Sequence, residues 1–152
     1  MPGIRRFKRE DLKATVELIH TTIKLCYPWI YPLEVIDFFL KYHSPEQILK
    51  KASEGKMFLI VDIEKIIGTG YLVGDEIGGI YILPDEQKKG YGRKMMDHLL
   101  GVAKNNGLKR IWLDATPFAK PLYDNMNFDL VKKARDLVGD KPLDYYVMEK
   151  YL

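Results

Sequence analysis

The sequence predicts a single α/β domain in which a mixed sheet carries helices on both faces. Three observations predict it. The first third shows apolar residues at helical intervals, the middle holds two adjacent runs rich in Ile, Val and aromatics around a two-residue turn, and the second half passes from strand to helix to strand. A chain of 152 residues is long enough to bury one core without metal or disulfide support, and short enough that one domain, residues 1–152, is expected.

The elements follow in order. Asp11 is placed to cap a first helix whose Leu12, Val16, Ile19 and Ile23 make one apolar stripe, expected to face the sheet. Tyr27-Pro28-Trp29-Ile30-Tyr31-Pro32 breaks that helix, because the residue ahead of a proline is pushed out of the α region. Leu33, Ile36, Phe39 and Leu40 then restore helical spacing for a second, short helix. Ser44-Pro45-Glu46-Gln47 has the form of a capping box with proline at the first helical position, and Gly55 marks the exit of the third helix. Met57 to Asp62 and Lys65 to Val73 read as an antiparallel hairpin turning at Ile63-Glu64, and a third strand runs from about Glu76 to Leu83. A helix from Tyr91 to Asn106 stops at Gly107, a strand follows at Arg110 to Ala115, and a short helix spans about Pro117 to Met126. Strands near Leu130 to Arg135 and Asp144 to Tyr151 complete the sheet.

Composition excludes several functions. Hydrophobic residues make up 47% and charged residues 30% of the chain, and no apolar run approaches the roughly 20 residues needed to cross a bilayer, so no membrane partner is expected. Met1 to Lys8 is basic but lacks the long apolar segment of a secretory signal, so a cytoplasmic location is expected. A net charge of +3 is too modest to argue for nucleic acid. Cys26 is the only cysteine, which excludes an internal disulfide and a cysteine-built metal site; it is expected to be a packed small residue. His20, His43 and His98 lack metal-ligand spacing, and no metal is expected.

The most informative stretch is Gln87-Lys88-Lys89-Gly90-Tyr91-Gly92-Arg93-Lys94, between the strand Ile80-Tyr81-Ile82-Leu83-Pro84 and the helix that follows. A strand, a glycine turn and a helix start leave several backbone N–H groups without intrahelical partners, aimed at one spot beyond the helix N-terminus, where an anion fits. Gly90 and Gly92 let a ligand approach the backbone, and Lys88, Lys89, Arg93 and Lys94 add mobile positive charge. The stretch lacks the Lys-Ser/Thr ending of a P-loop and the third glycine of a dinucleotide fingerprint.

The pattern Q-x-x-G-x-G, after a strand and before an amphipathic helix, resembles the acetyl-CoA pyrophosphate loop of the GCN5-related N-acetyltransferases, the GNAT family. A second motif, Leu113 to Phe128 with Leu122-Tyr123 and the ending Asn125-Met126-Asn127-Phe128, resembles the segment this family carries after its fifth strand. The closing Tyr145 to Leu152 is similar to the final strand of many members. The likeness covers residues 55 to 152 well and the first third loosely. Where a typical member has Gly before the last Phe, this chain has Asn127, which tolerates the left-handed backbone angles such a position needs.

The resemblance implies an acetyl-CoA-dependent N-acetyltransferase with no metal, built on a sheet splayed at the cofactor site. The backbone of Ile80, Tyr81 and Ile82 would pair with the pantetheine arm as an added strand does, and Lys88, Lys89, Gly90, Tyr91, Gly92 and Arg93 would hold the pyrophosphate. Tyr123 stands at the position of the general acid that protonates the departing thiolate, and the N–H of Ile82 is the best oxyanion donor. Glu76 is the first choice of general base, with Asp75, Asp114 or solvent as alternatives. The acceptor amine is expected against the first-third helices, where Tyr27, Trp29, Tyr31, Phe38 and Phe39 mix with Glu34 and Asp37. This part of the chain is similar to small microbial polyamine acetyltransferases, so a polyamine such as spermidine is one expected acceptor. A protein N-terminus or lysine is another, and a non-catalytic acetyl-CoA-sensing module is the alternative of a different class. Both a monomer and a homodimer are compatible with the sequence.

Overall fold

The structure, a computed structural model describing residues 2–152, contains a seven-stranded sheet in the order β1-β2-β3-β4-β5-β7-β6. The strands are β1 (Gly3–Arg6), β2 (Lys56–Asp62), β3 (Lys65–Val73), β4 (Glu76–Ile82), β5 (Arg110–Ala115), β6 (Asp129–Val138) and β7 (Lys141–Tyr151). The α-helices are α1 (Leu12–Cys26), α2 (Leu33–Tyr42), α3 (Pro45–Glu54), α4 (Tyr91–Asn105) and α5 (Lys120–Asn125). All neighbouring strands are antiparallel except β4 and β5, which run parallel.

The apolar pattern of each element explains which layer it joins. Met95, Met96, Leu99, Leu100 and Ala103 form one face of α4 and bury it against Ile60, Ile77, Ile111, Leu113 and Met148 on one side of the sheet. On the other side, Leu18, Ile19 and Ile23 of α1 pack with Val35, Ile36, Ile48 and Tyr81. The buried stripe of α1 is broader than its hydrophobic residues alone suggest, since it also contains Thr15 and Thr22. Thr22 donates its hydroxyl to the Leu18 carbonyl at 2.8 Å, which offsets the cost of burying it.

Capping follows the sequence at α3, where Ser44 Oγ accepts from the Gln47 N–H at 3.3 Å and Gly55 ends the helix. It departs at Asp11, which does not cap α1. Its carboxylate instead accepts from the Lys8 N–H at 2.8 Å and from both terminal nitrogens of Arg5 at 2.8 Å each, tying β1 to the turn before α1. The strand β1 itself was not expected. It pairs Gly3–Arg6 with Phe58–Val61 of β2.

Candidate active site

The central feature of the sheet is a gap. Strand β4 pairs with β5 at Glu76–Trp112 alone, reinforced by Trp112 N–H donating to the Asp75 carbonyl at 3.0 Å; past that point the two strands part. The join is pinned by a side chain as well, because the Trp112 indole donates to the Asp75 carboxylate at 3.0 Å. Beyond it, β4 keeps only its β3 neighbour. In an antiparallel pair alternate residues turn their N–H and C=O groups away from the partner, and Leu83 N–H bonding to Ile67 C=O at 2.9 Å fixes the phase, so Ile80 and Ile82 turn theirs into the gap. The Gln87 side-chain amide reaches the Ile82 carbonyl from that side at 2.9 Å.

A bulge bends β4 at the same place. From Thr69 to Tyr71 on β3 the partner strand advances from Tyr81 to Gly78, one residue more, and the extra residue Gly79 has φ +63°. The Tyr71 ring covers the bulge: a Cβ on Gly79 would lie 2.6 Å from its carbons.

At the end of β4 the chain turns into α4 through two left-handed residues, Lys88 (φ 63°) and Gly90 (φ 89°). Among the described residues, none of the backbone N–H groups from Lys88 to Arg93 donates to a protein acceptor, and the first bond of the helix is Lys94 N–H to Gly90 C=O. A left-handed residue beside helical ones curls successive N–H groups toward one point, so this turn forms an anion nest at the positive end of a helix dipole. Lys88 and Arg93 are exposed and make no ion pair among the described residues, Lys89 pairs with Glu86 at 3.2 Å, and Lys94 bonds the Pro2 carbonyl. The Tyr91 side chain packs against the core, leaving its backbone to the nest. A Cβ on Gly92 would sit 3.2 Å from Leu122, so the nest abuts α5 one residue from Tyr123.

Beside the gap lies a cavity of about 210 Å³ that brings together Glu76, Ile80, Tyr81 and Tyr123 with Asp114 and Asp136. Tyr123 is buried, its ring 5.6 Å from that of Phe128, and its hydroxyl bonds no protein group; burial, and then the neighbouring Tyr27, push its pKa well up, so it stays protonated. Asn127 adopts φ 62° after α5 and lets Phe128 N–H return to the Tyr123 carbonyl at 3.0 Å. Desolvation pushes the Glu76 carboxyl up, the Lys51 ammonium draws it down, and Asp114 and Asp75 raise it further. Asp114 is raised by desolvation and by Asp136. Asp75 stands apart: its carboxylate is taken by Trp112 and lies 3.8 Å from Arg110, and it does not line the cavity.

The residues expected to meet an acceptor are only partly brought together. Tyr27, Phe38 and Phe39 do line the cavity, but Trp29 is 90% exposed and Glu34 and Asp37 face outward on α2. Tyr31 is buried and donates to the Asp144 carbonyl at 2.8 Å. The carboxylates that meet the aromatics are Glu76, Asp114 and Asp136, from β4, β5 and β6. Asp136 and His43 were missed because the register of β6 against β7 brings the first here and the packing of the end of α2 against β4 brings the second. No group of three or more His, Cys, Asp or Glu side chains could hold a metal among the described residues, and no helix is long and apolar enough to cross a membrane.

Comparison with known proteins agrees with this geometry. The GCN5-related N-acetyltransferase structure from Rhodopseudomonas palustris superposes with a TM-score of 0.91 at 19% identity, covering 100% of this chain and 96% of that one. The PaiA N-acetyltransferase of Thermoplasma acidophilum, in complex with coenzyme A, gives 0.81 at 19% identity over 100% and 99% of the two chains. The ribosomal-protein-S18-alanine N-acetyltransferase of Escherichia coli gives 0.75 at 20% identity over 99% and 94%. In sequence, UPF0039 protein C11D3.02c of Schizosaccharomyces pombe is 39% identical over 62 residues, spanning 40% of this chain and only 39% of that relative. Residues 17–128 match the profile of the acetyltransferase (GNAT) family, well over half of the chain. The chain belongs to the GNAT family of acetyltransferases.

Proposed function

We propose that the enzyme transfers the acetyl group directly to a primary amine held in the cavity, and that this amine belongs to a small polycation such as spermidine. The observation that supports the donor side most is the row of unpaired N–H groups from Lys88 to Arg93, which suits a diphosphate at the start of α4. The edge of β4 at Ile80 and Ile82 suits an amide-bearing pantetheine arm lying in the gap, whereas the backbone of Tyr81, expected to share that role, is turned toward Thr69 of β3.

The residues then divide the chemistry. Glu76 takes a proton from the acceptor ammonium, the Ile82 N–H donates to the carbonyl oxygen as charge builds on it, and Tyr123 gives its proton to the sulfur as the C–N bond forms and the C–S bond breaks; the second proton lost by the nitrogen restores the phenol, and the one on Glu76 passes to solvent. A carboxyl raised by desolvation is a better base near neutral pH than an ordinary one, which favours Glu76 over the tethered Asp75. Asp114, also raised by desolvation, is the alternative base among the carboxylates of the cavity. Three carboxylates beside Phe38, Phe39 and Tyr42 suit an alkyl chain carrying more than one ammonium.

The test follows free thiol release from acetyl-CoA with spermidine, a monoamine, and peptides carrying a free N-terminus or lysine. Spermidine is expected to give the highest kcat/KM. A peptide turned over faster than any free amine would replace the polyamine by a protein acceptor, and coenzyme binding without turnover of any amine would make the chain a sensor.

A further inference from the structure

One wall of the cavity carries a chain of buried polar groups to which the chemistry above gives no work. His43, just past α2, places Nε2 3.0 Å from the Tyr81 hydroxyl, and the Tyr27 hydroxyl lies 3.3 Å from that of Tyr81. The three side chains are 8%, 7% and 6% exposed, so each is more than nine-tenths buried, yet all three line the cavity. They come from three elements, the end of α2, β4 and the turn after α1, and they sit within a cluster that is otherwise largely apolar. Phenylalanine would fill the same space at Tyr27 and Tyr81 without the cost of burying hydroxyls.

The chain is uncharged at neutral pH. Burial, then His20 and Lys51, bring the His43 pKa down to about 4, while burial pushes the Tyr27 phenol up to about 12 and holds the Tyr81 phenol well above its ordinary value. With Nε2 bare, the neutral imidazole accepts from Tyr81 and Tyr81 in turn accepts from Tyr27, so the Tyr27 oxygen has two lone pairs, one reached by the Thr116 hydroxyl and one left for a donor in the cavity. An amine N–H is such a donor. Tyr27 shares that cavity with Ile80 of β4 and with Thr116 and Tyr123 beyond β5, so it stands across the gap at which the acetyl group would arrive.

We propose that Tyr27 is a specificity-determining contact of the acceptor nitrogen, with Tyr81 and His43 as positioning residues that hold its oxygen so that it accepts an amine N–H and leaves the nitrogen lone pair aimed at the thioester beside Ile80 and Ile82. This rests on the acetyl-transfer reading and gives the side chains of Tyr81 and His43, and the hydroxyl of Tyr27, work that the sequence motifs do not assign.

The test compares Tyr27→Phe, Tyr81→Phe, the double variant, His43→Leu and His43→Gln in steady-state kinetics, with calorimetric binding of acetyl-CoA alongside. Losing Tyr27's hydrogen bond is expected to lower kcat/KM for the amine about tenfold or more, with acetyl-CoA affinity unchanged. Tyr81→Phe and His43→Leu should share part of that loss, and His43→Gln, whose amide can accept where Nε2 does, should recover most of it. The double tyrosine variant should be no worse than Tyr27→Phe alone, since the chain acts as a unit. Wild-type kinetics in Tyr27→Phe, additive losses in the double variant, or acetyl-CoA affinity falling in parallel would each overturn the proposal. Failure of the underlying reading looks different: the unaltered enzyme would then acetylate no amine at all.

Discussion

Glu76 and Tyr123 are opposite cases of one rule, that burial disfavours the charged form of a group. In Tyr123 burial keeps the phenol protonated and ready to donate; in Glu76 it raises a carboxyl toward the working pH and so strengthens it as a base. A base must be ionised to act, so kcat/KM should rise with pH through an acid limb displaced upward from that of an ordinary carboxyl, since desolvation first, and the Asp114 and Asp75 carboxylates after it, raise Glu76 against the pull of Lys51. Glu76→Gln is expected to remove most of that limb and cost about 10²–10⁴-fold in kcat/KM, and Tyr123→Phe to lower kcat by a similar factor. A pH–rate profile of each variant checks this. An acid limb that stays in place in Glu76→Gln would shift the base to Asp114 or to solvent. The place of Tyr123 beside the gap was legible in the sequence because a contiguous motif carries it; Tyr27, Tyr81 and His43 were not legible as a group, because their meeting depends on α1, β4 and α2 packing together.

At the scale of elements, the β4 bulge is where backbone geometry and packing meet. Gly79 needs a left-handed backbone and also leaves room for the Tyr71 ring, whereas Gly74, in the turn before β4, has φ +60° and open space where a Cβ would go. Gly74→Ala is therefore expected to cost about 1 kcal/mol from backbone strain alone, and Gly79→Ala about 2–4 kcal/mol, because an overpacked contact adds to the strain. Urea unfolding of the two variants measures the difference, and equal losses would show that the Tyr71 contact yields freely. Elements with a buried, periodic face were readable: β2, β3, β5 and α4 lie within a residue or so of where periodicity puts them. Those without one were not. Strand β1 is four residues long and mostly exposed, and pairing with β2 makes it a strand; β6 is an edge strand exposed along most of its length, so no alternation marked its extension to Val138. Helix α5 starts at Lys120, later than Pro117, because Thr116 holds the intervening turn by accepting from Ala119 at its hydroxyl and from Lys120 at its carbonyl.

For the whole molecule, the parting of β4 from β5 leaves the sheet as two blocks, β1 to β4 and β5 to β7, joined in the sheet only at Glu76–Trp112. A ligand held by the β4 edge and by the nest at α4, which abuts α5, would touch both sides of that division. Any ligand that binds only the folded state stabilises it by RT ln(1 + [L]/Kd), about 2.7 kcal/mol at a hundredfold excess over Kd, and for a chain of this size that corresponds to roughly 5–10 °C in Tm. Coenzyme A is expected to raise Tm by that amount. Pantetheine, which lacks the diphosphate, should raise it far less at the same concentration, and a Gly90→Pro variant should lose most of the coenzyme A effect, because proline cannot adopt the φ of +89° that curls the nest. Amide hydrogen exchange locates the effect: protection should appear in β4 and at residues 88 to 93 together. Equal stabilisation by pantetheine would move the main donor contact from the nest to the strand edge, and no stabilisation by either ligand would remove the basis for placing the donor in the gap.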